Sequence, residues 1–314
     1  MKKFLLALLL CFVFTGSGFA GDFHVVAAIF PIYDWIHEIS AGSGLKVTLL
    51  LDNGVDLHSY LPSVQDIVRI SEADMFVYVG GESDNWVHDA LKNTVNKNQI
   101  TVNLLQVLGE AVKHDELVEG MEHKHHEHEE HEHEHEELDE HVWLSLRNAE
   151  KICRHIAEKL SRLDNEHSQL FSDNLAAYLE KLSALDNAYE AAINYSARKT
   201  LLFADRFPFR YLADDYALKY YAAFSGCSAE TEASFHTVKF LAEKVDELHL
   251  PCVITIEGTH HKIAQTVIAS TSAKKQNVLV LNSMQSTTLR DVLGGASYLA
   301  IMAANLDVLK EALN

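Results

Sequence analysis

Short apolar or β-branched runs alternate with stretches whose apolar residues recur every three or four positions, from residue 24 to the end of the chain. Residues 24–29, 46–51, 74–79 and 100–104 read as strands, with helices at 31–40, 63–71 and 83–92 between them. The pattern returns in the second half. Strands are expected at 201–204, 220–224, 252–256 and 278–281, and helices at 207–216, 234–248, 262–271 and 289–313. Alternation of this kind builds βαβ units, so the predicted fold class is α/β: two lobes, each with a mostly parallel sheet. From residue 146 to about 198 the pattern is helical with almost no breaker, and Leu170, Leu175, Tyr178, Leu182, Leu185 and Tyr189 supply an apolar stripe. Asp164-Asn165 separates two helices there. The second, of about 30 residues and about 48 Å, is long enough to bridge both lobes.

The expected organisation is a leader at 1–20, a first lobe at 21–163, a bridging helix at 164–198 and a second lobe at 199–314. About 290 residues without the leader suit two domains. Four prolines and the lack of a long Gly/Ser linker imply a stiff joint.

The first residues, MKKFLLALLLCFVFTGSGFAGDF, have a positive start, a short apolar run and small residues at Gly18 and Ala20. This is the pattern of a secretory signal peptide cleaved after Ala20; the run is short for a membrane span. It directs the protein across the cytoplasmic membrane to the periplasm. An N-terminal anchor helix, or lipid attachment at Cys11, is the alternative. Loss of Lys2 and Lys3 takes the formal charge from −19 to −21. That balance opposes binding to nucleic acid or anionic membranes and suits a cationic ligand. Cys153, Cys227 and Cys252 remain after cleavage. Cys227–Cys252 is the candidate disulfide of an exported protein, Cys153 reads as a small buried residue, and the lack of a CxxC spacing argues against a thiolate zinc site.

Between residues 121 and 137 the chain is almost all histidine and acid: His123, His125, His126, His128, His131, His133 and His135, spaced mainly by glutamates. Such a run offers no apolar face to a core. It is expected to lie in a flexible loop, 114–138, that gathers a transition metal loosely; a solvated charged linker is the bland alternative. Imidazole suits zinc, copper or nickel.

A selective site needs fixed geometry, and ligands of open α/β sheets bind beyond the carboxyl ends of the strands. Donors at such places are His58, His141 before the helix at 146, Asp205, Glu257 with His260 and His261 just beyond, and Asn282. Arg206 could hydrogen-bond a site carboxylate or lie on the surface. Glu232 reads as the cap of the helix it precedes.

Gly54-Val55-Asp56-Leu57-His58-Ser59-Tyr60 matches a G-x-x-x-H-S/T-Y segment, and Asp139-Glu140-His141-Val142-Trp143-Leu144-Ser145 a D-x-H-x-W-L-S segment. With residues 73–80, Trp86 and the closing helix at 298–306, these make the chain resemble the substrate-binding proteins of zinc and manganese ABC importers (cluster A-I). The resemblance covers nearly all of the mature chain. It implies a metal held between two lobes joined by one rigid helix, with His58 and His141 as ligands. It also implies a permease and its ATPase in the inner membrane as partners, a monomeric receptor, and Zn²⁺ as transported ligand with Mn²⁺ as the alternative. The second lobe departs from the pattern. Ala204 stands where the family often has histidine or glutamate, and Asn282 where it often has aspartate. Asp205 and Glu257 are therefore the expected third and fourth donors. A secreted zinc hydrolase is the reading from another class, but no HExxH pair or nucleophile motif is present. A metal buffer or adhesin without a transporter is a third. The expectation is a receptor, not an enzyme.

Overall fold

A computed structural model describes residues 23–92, 94–121, 137–228, 232–258 and 261–314. In the first lobe the chain runs β1 (His24–Ala27), α1 (Phe30–Ile39), β2 (Lys46–Leu49), α2 (Val64–Glu72), β3 (Met75–Tyr78), α3 (Asn85–Lys92), β4 (Ile100–Asn103) and α4 (Leu104–Leu108). Then come α5 (Leu146–Leu163) and the long α6 (Ser168–Asn194). The second lobe runs β5 (Thr200–Phe207), α7 (Arg210–Asp215), β6 (Lys219–Ser225), α8 (Phe235–Glu247), β7 (Cys252–Ile256), α9 (Lys262–Ser270), β8 (Asn277–Leu281), α10 (Leu289–Leu293) and α11 (Tyr298–Ala312).

The sheets have the orders β2-β1-β3-β4 and β6-β5-β7-β8, with parallel pairings in both. Helices cover the sheets, so Val25, Val26, Ala27, Met75, Phe76 and Val77 are buried along their strands without alternation. Unbroken burial is what a parallel sheet requires. The α/β expectation thus holds in both halves.

The bridging helix follows from one apolar stripe. Phe171, Tyr178, Leu182, Tyr189 and Ile193 are its buried residues, and most other positions face solvent. Its first half packs on α1, where Asn174 donates to the Ile39 carbonyl at 3.0 Å. Its second half meets α11, where the Tyr189 hydroxyl donates to the Met302 carbonyl at 2.6 Å. A 27-residue helix gripped at both ends is a stiff spine.

Three predicted elements differ, the helix expected at 207–216 shortening to Arg210–Asp215 because the strand before it runs on to Phe207. The strand expected at 201–204 continues to Phe207, with a register shift between Phe203 and Arg206 against β6. Asp205 and Arg206 therefore lie in a bulged strand, and a bulge re-aims side chains at the end of a sheet. The helix expected over 289–313 is two helices. Gly294-Gly295 breaks it, Gly295 taking φ +101°, and Ser297 restarts it by capping the Ala300 N–H. Among the described residues no helix is long and apolar enough to cross a membrane.

Candidate metal centre

Each strand that matters ends at the cleft between the lobes. His58 follows β2 in a single 3-10 turn, Leu57–Ser59. Asp56 caps this turn, its Oδ1 accepting the His58 N–H at 2.9 Å. Gly54, at φ +72°, turns the chain into it. Tyr60 packs edge-on against Trp86, with ring centroids 5.9 Å apart. The G-x-x-x-H-S-Y spacing is therefore the covalent form of a capped turn that presents one imidazole.

The second motif works similarly. Asp139 Oδ1 accepts from both the backbone N–H and Nδ1 of His141, each at 2.9 Å. Trp143 donates Nε1–H to the Ser283 carbonyl of the other lobe at 2.8 Å. Ser145 caps α5 through Asn148 N–H and donates its hydroxyl to Asp215 at 2.5 Å. Asp139 thus orients the ring, Trp143 ties the turn to the second lobe, and Ser145 starts the next helix.

The two rings meet. His58 Nε2 lies 3.0 Å from His141 Nε2. His141 is fully buried, and the His58 side chain is 8% exposed. His58 Nδ1 faces Ser83 Oγ at 2.8 Å and Glu140 Oε2 at 3.5 Å. Ser83 also donates its backbone N–H to Glu140 Oε1 at 2.9 Å, and its hydroxyl serves the same carboxylate. With that hydroxyl proton turned to Glu140, Ser83 Oγ accepts from His58 Nδ1–H. Both Nδ1 atoms are then donors, His141 to Asp139 and His58 to a serine hydroxyl backed by Glu140, which directs both Nε2 atoms at one point. A carboxylate behind each imidazole is the arrangement that fixes the tautomer of a metal-binding histidine.

Cys227 completes the group. It follows β6, and its sulfur and the two ring nitrogens all lie within 4.8 Å of one another. A pocket lined by His58, Glu82, Ser83, Glu140 and Cys227 opens beside them, with a volume of about 250 Å³. Glu137 and Leu138, at the end of the histidine-rich loop, also line it.

The electrostatics suit a cation. Burial opposes a charge on His141, but the Asp139 carboxylate and its hydrogen bond, with help from Cys227, hold its pKa well above the ordinary imidazole range. Burial pushes the Cys227 thiol up, against the pull of His141. Burial likewise raises Glu140. Burial would raise Asp56 too, but Arg206 and His58 outweigh it and hold its carboxyl below the usual range.

The other expected donors are elsewhere. Asp205 is not in the group with His58, His141 and Cys227. Its Oδ1 accepts from Arg206 N–H at 2.9 Å and its Oδ2 from Ile256 N–H at 3.3 Å, tying β5 to β7. Glu257 is also outside the group. Its carboxylate takes the Ser283 N–H at 2.7 Å, the Ser283 hydroxyl at 2.8 Å and the Gln285 N–H at 3.2 Å, and it lines a different pocket with Asn282. Asn282 Oδ1 accepts from Met284 N–H. His261 Nδ1 pairs with Thr255 Oγ1 at 2.8 Å, and Glu232 is exposed. His260 and the seven loop histidines, His123 to His135, lie outside the described residues.

The expected Cys227–Cys252 disulfide is absent: Cys153, Cys227 and Cys252 are free thiols. Cys252 opens β7 while Cys227 follows β6 at the cleft, so the two occupy opposite ends of the sheet. Cys227 is the member of this group that the sequence reading did not name among the candidate donors. Its signal was present, since Gly226-Cys227-Ser228 lies just past a predicted strand, the criterion that had selected Asp205 and Glu257.

Two parallel-sheet lobes, a helical spine and a largely enclosed His-His-Cys group at the strand ends define a two-lobed solute-binding protein with a candidate transition-metal site. The chain belongs to the ZnuA family, described as zinc-uptake complex component A, periplasmic, whose profile matches residues 25–312. It is 33% identical over 299 residues to the zinc-binding lipoprotein AdcA of Streptococcus pneumoniae, covering 93% of this chain and 56% of that protein. The chain thus spans little more than half the length of its AdcA relatives. It is 32% identical over 291 residues to the high-affinity zinc uptake system protein ZnuA of Bacillus subtilis, covering 92% and 87% of the two chains. Among solved structures, the Zn(II)-bound ZnuA-like domain of S. pneumoniae AdcA superposes with a TM-score of 0.72 at 28% identity, over 93% of this chain and 99% of that one. The metal-dependent lipoprotein YcdH of B. subtilis gives 0.75 at 26% identity, over 93% and 99%. The family is one of transport receptors, not of enzymes.

Proposed function

We propose that the protein captures Zn²⁺ outside the cytoplasm and delivers it to an ABC permease and its ATPase for import. The observation that carries this reading is the pair of Nε2 atoms 3.0 Å apart, each on a ring whose Nδ1 faces an acidic partner. Two nitrogens about 2.0–2.1 Å from a tetrahedral zinc would be separated by roughly 3.3 Å, so little movement is needed to load the ion. His58, His141 and Cys227 supply three donors, and the pocket beside them has room for water as a fourth. Asp205 and Glu257 act as supports of the second lobe rather than as ligands.

Two imidazoles and a thiolate disfavour Mn²⁺, which takes oxygen donors. Residues 1–20 are the export signal of a periplasmic protein; in the alternative, suggested by the name of the AdcA relative for that protein, the signal ends before Cys11 and the mature chain is lipid-anchored there. The histidine-rich loop gathers metal and passes it to the adjoining pocket.

The test is a zinc titration of protein in which residues 122–136 are replaced by a short Gly/Ser linker. One tight zinc per molecule is expected, with Mn²⁺ at least about 100-fold weaker, and with zinc binding abolished by His58→Ala or His141→Ala. Retained tight binding in either variant would refute the site. Zinc-dependent growth of cells deleted for the protein tests delivery, since only an importing receptor restores it.

A further inference from the structure

Arg206 touches both the loop presenting His58 and the loop presenting Cys227. Its Nη2 donates to Asp56 Oδ2 at 2.8 Å, and Asp56 Oδ1 caps the His58 turn. Its Nη1 donates to the Ser228 carbonyl at 3.2 Å, one residue beyond Cys227. The Arg206 side chain is 19% exposed and that of Asp56 18%, so solvent screens this ion pair only in part. The bulge in β5 turns the guanidinium toward the cleft, and Asp205 anchors that end of the strand to β7. A second grip comes from Gln285, whose amide nitrogen in its hydrogen-bonded orientation donates to both Asp56 oxygens at 3.0 and 2.8 Å.

We propose that Arg206 is a positioning residue for metal capture: one planar guanidinium holds the Asp56 cap of the first lobe and the Cys227 loop of the second at the separation a His-His-Cys centre needs. The proposal rests on the reading of that centre as a metal site. The clasp is made of protein groups alone, so it sets the distance between lobes before metal arrives. Arginine suits the task because its fork donates in two fixed directions, whereas a lysine ammonium is a point charge on a flexible stem. The Cys227 thiol is a ligand only if its loop is held against the histidine face, and the Ser228 carbonyl is where that loop is held.

Co²⁺ tests this, because a thiolate bound to cobalt gives a near-ultraviolet sulfur-to-metal charge-transfer band that imidazole alone does not. The parent protein, with residues 122–136 replaced, should bind one Co²⁺ and show the band, and Cys227→Ser should lose it. Arg206→Ala should bind Co²⁺ about 10–100-fold more weakly, in the range typical of lost outer partners, with the band lost or much reduced while its Tm stays near that of the parent. Arg206→Lys should recover part of the affinity but not the full band. Asp56→Asn, which keeps the shape of the cap, removes half of the clasp and should weaken binding similarly even if Arg206→Ala does not fold. Full affinity and an intact band in Arg206→Ala, or in Asp56→Asn where that is the folded variant, would overturn the proposal and leave the metal site standing. A parent protein without the band would overturn both.

Discussion

His58 and His141 are separated by 83 positions in sequence, yet their Nε2 atoms lie 3.0 Å apart. Two neutral imidazoles with both Nδ1 atoms protonated would set lone pair against lone pair. A His141 pKa held above the ordinary imidazole range accounts for the contact: with both ring nitrogens protonated, His141 donates Nδ1–H to Asp139 and Nε2–H to His58. The proton sits where the metal would bind. Loading is therefore an exchange of cations between two imidazoles, with the Cys227 proton leaving as well.

That exchange fixes the sign of the pH dependence. Zinc must displace the His141 proton, held above the ordinary imidazole range, and the Cys227 proton, so apparent affinity falls as pH falls. The expected slope is roughly 10–100-fold per pH unit, one decade for each proton displaced. Competition against a chelator of known affinity between about pH 6 and 8.5 measures it. A flat profile would contradict the proton-exchange picture.

The metal-free protein should show the opposite trend. A histidine whose pKa is raised by folding adds stability that is fully present below the unfolded imidazole pKa and lost as pH rises through the folded one. Tm of the metal-free form should decline as pH rises above neutrality, and the decline should be smaller in His141→Ala. Equal slopes in the two proteins would show that Asp139 does not hold a charged His141.

Gly226 has a steric task next to Cys227. A Cβ there would lie 2.8 Å from the Phe207 carbonyl oxygen and 3.1 Å from His141 Cε1. Backbone cannot yield cheaply, so Gly226→Ala should push His141 and weaken zinc binding about tenfold, in line with other losses around a metal ligand. Unchanged affinity would mean that the loop has slack.

Asp34 offers a test away from the cleft. It is buried in α1, where its Oδ2 accepts the Tyr298 N–H at 3.0 Å at the start of α11. Burial, with the charge of Glu38, pushes its pKa up to about 7 despite that hydrogen bond. A carboxyl raised by folding costs stability progressively as pH climbs from its unfolded pKa, with the full cost present above the folded one. Asp34→Asn keeps an oxygen acceptor and loses the charge. It should raise Tm by at least about 3 °C at pH 8 and leave it nearly unchanged at pH 4.5. A loss of Tm at pH 8 would show the charge to be stabilising.

Glu257→Ala separates support from ligation. It removes an acceptor of three hydrogen bonds from residues 283 and 285, which carry the Ser283 carbonyl that holds Trp143. A fall in stability of about 1–3 kcal/mol is expected, with zinc weakened far less than by His141→Ala. Equal loss of zinc would restore Glu257 as a ligand.

The parallel lobes were legible because buried strands and amphipathic helices leave periodic patterns. The breaks were less so: Gly294-Gly295 marks the end of α10 only once a cap at Ser297 is recognised beyond it. His58 and His141 could be read because local turns hold them, and Asp56 and Asp139 lie just two residues before them. Asp205 lies in a strand bulge, which no periodicity records, and outside the group of His58, His141 and Cys227. Cys227 was passed over because its value depends on a histidine 86 positions earlier, and only the tertiary fold supplies that proximity.

X-ray absorption at the zinc K-edge, on protein lacking the histidine-rich segment and loaded with one equivalent of Zn²⁺, addresses the centre most directly. The expected spectrum has two imidazole nitrogens at about 2.0–2.1 Å and one sulfur at about 2.3 Å. A shell of nitrogen and oxygen without sulfur, or one lacking the imidazole signature, would contradict a centre built from His58, His141 and Cys227.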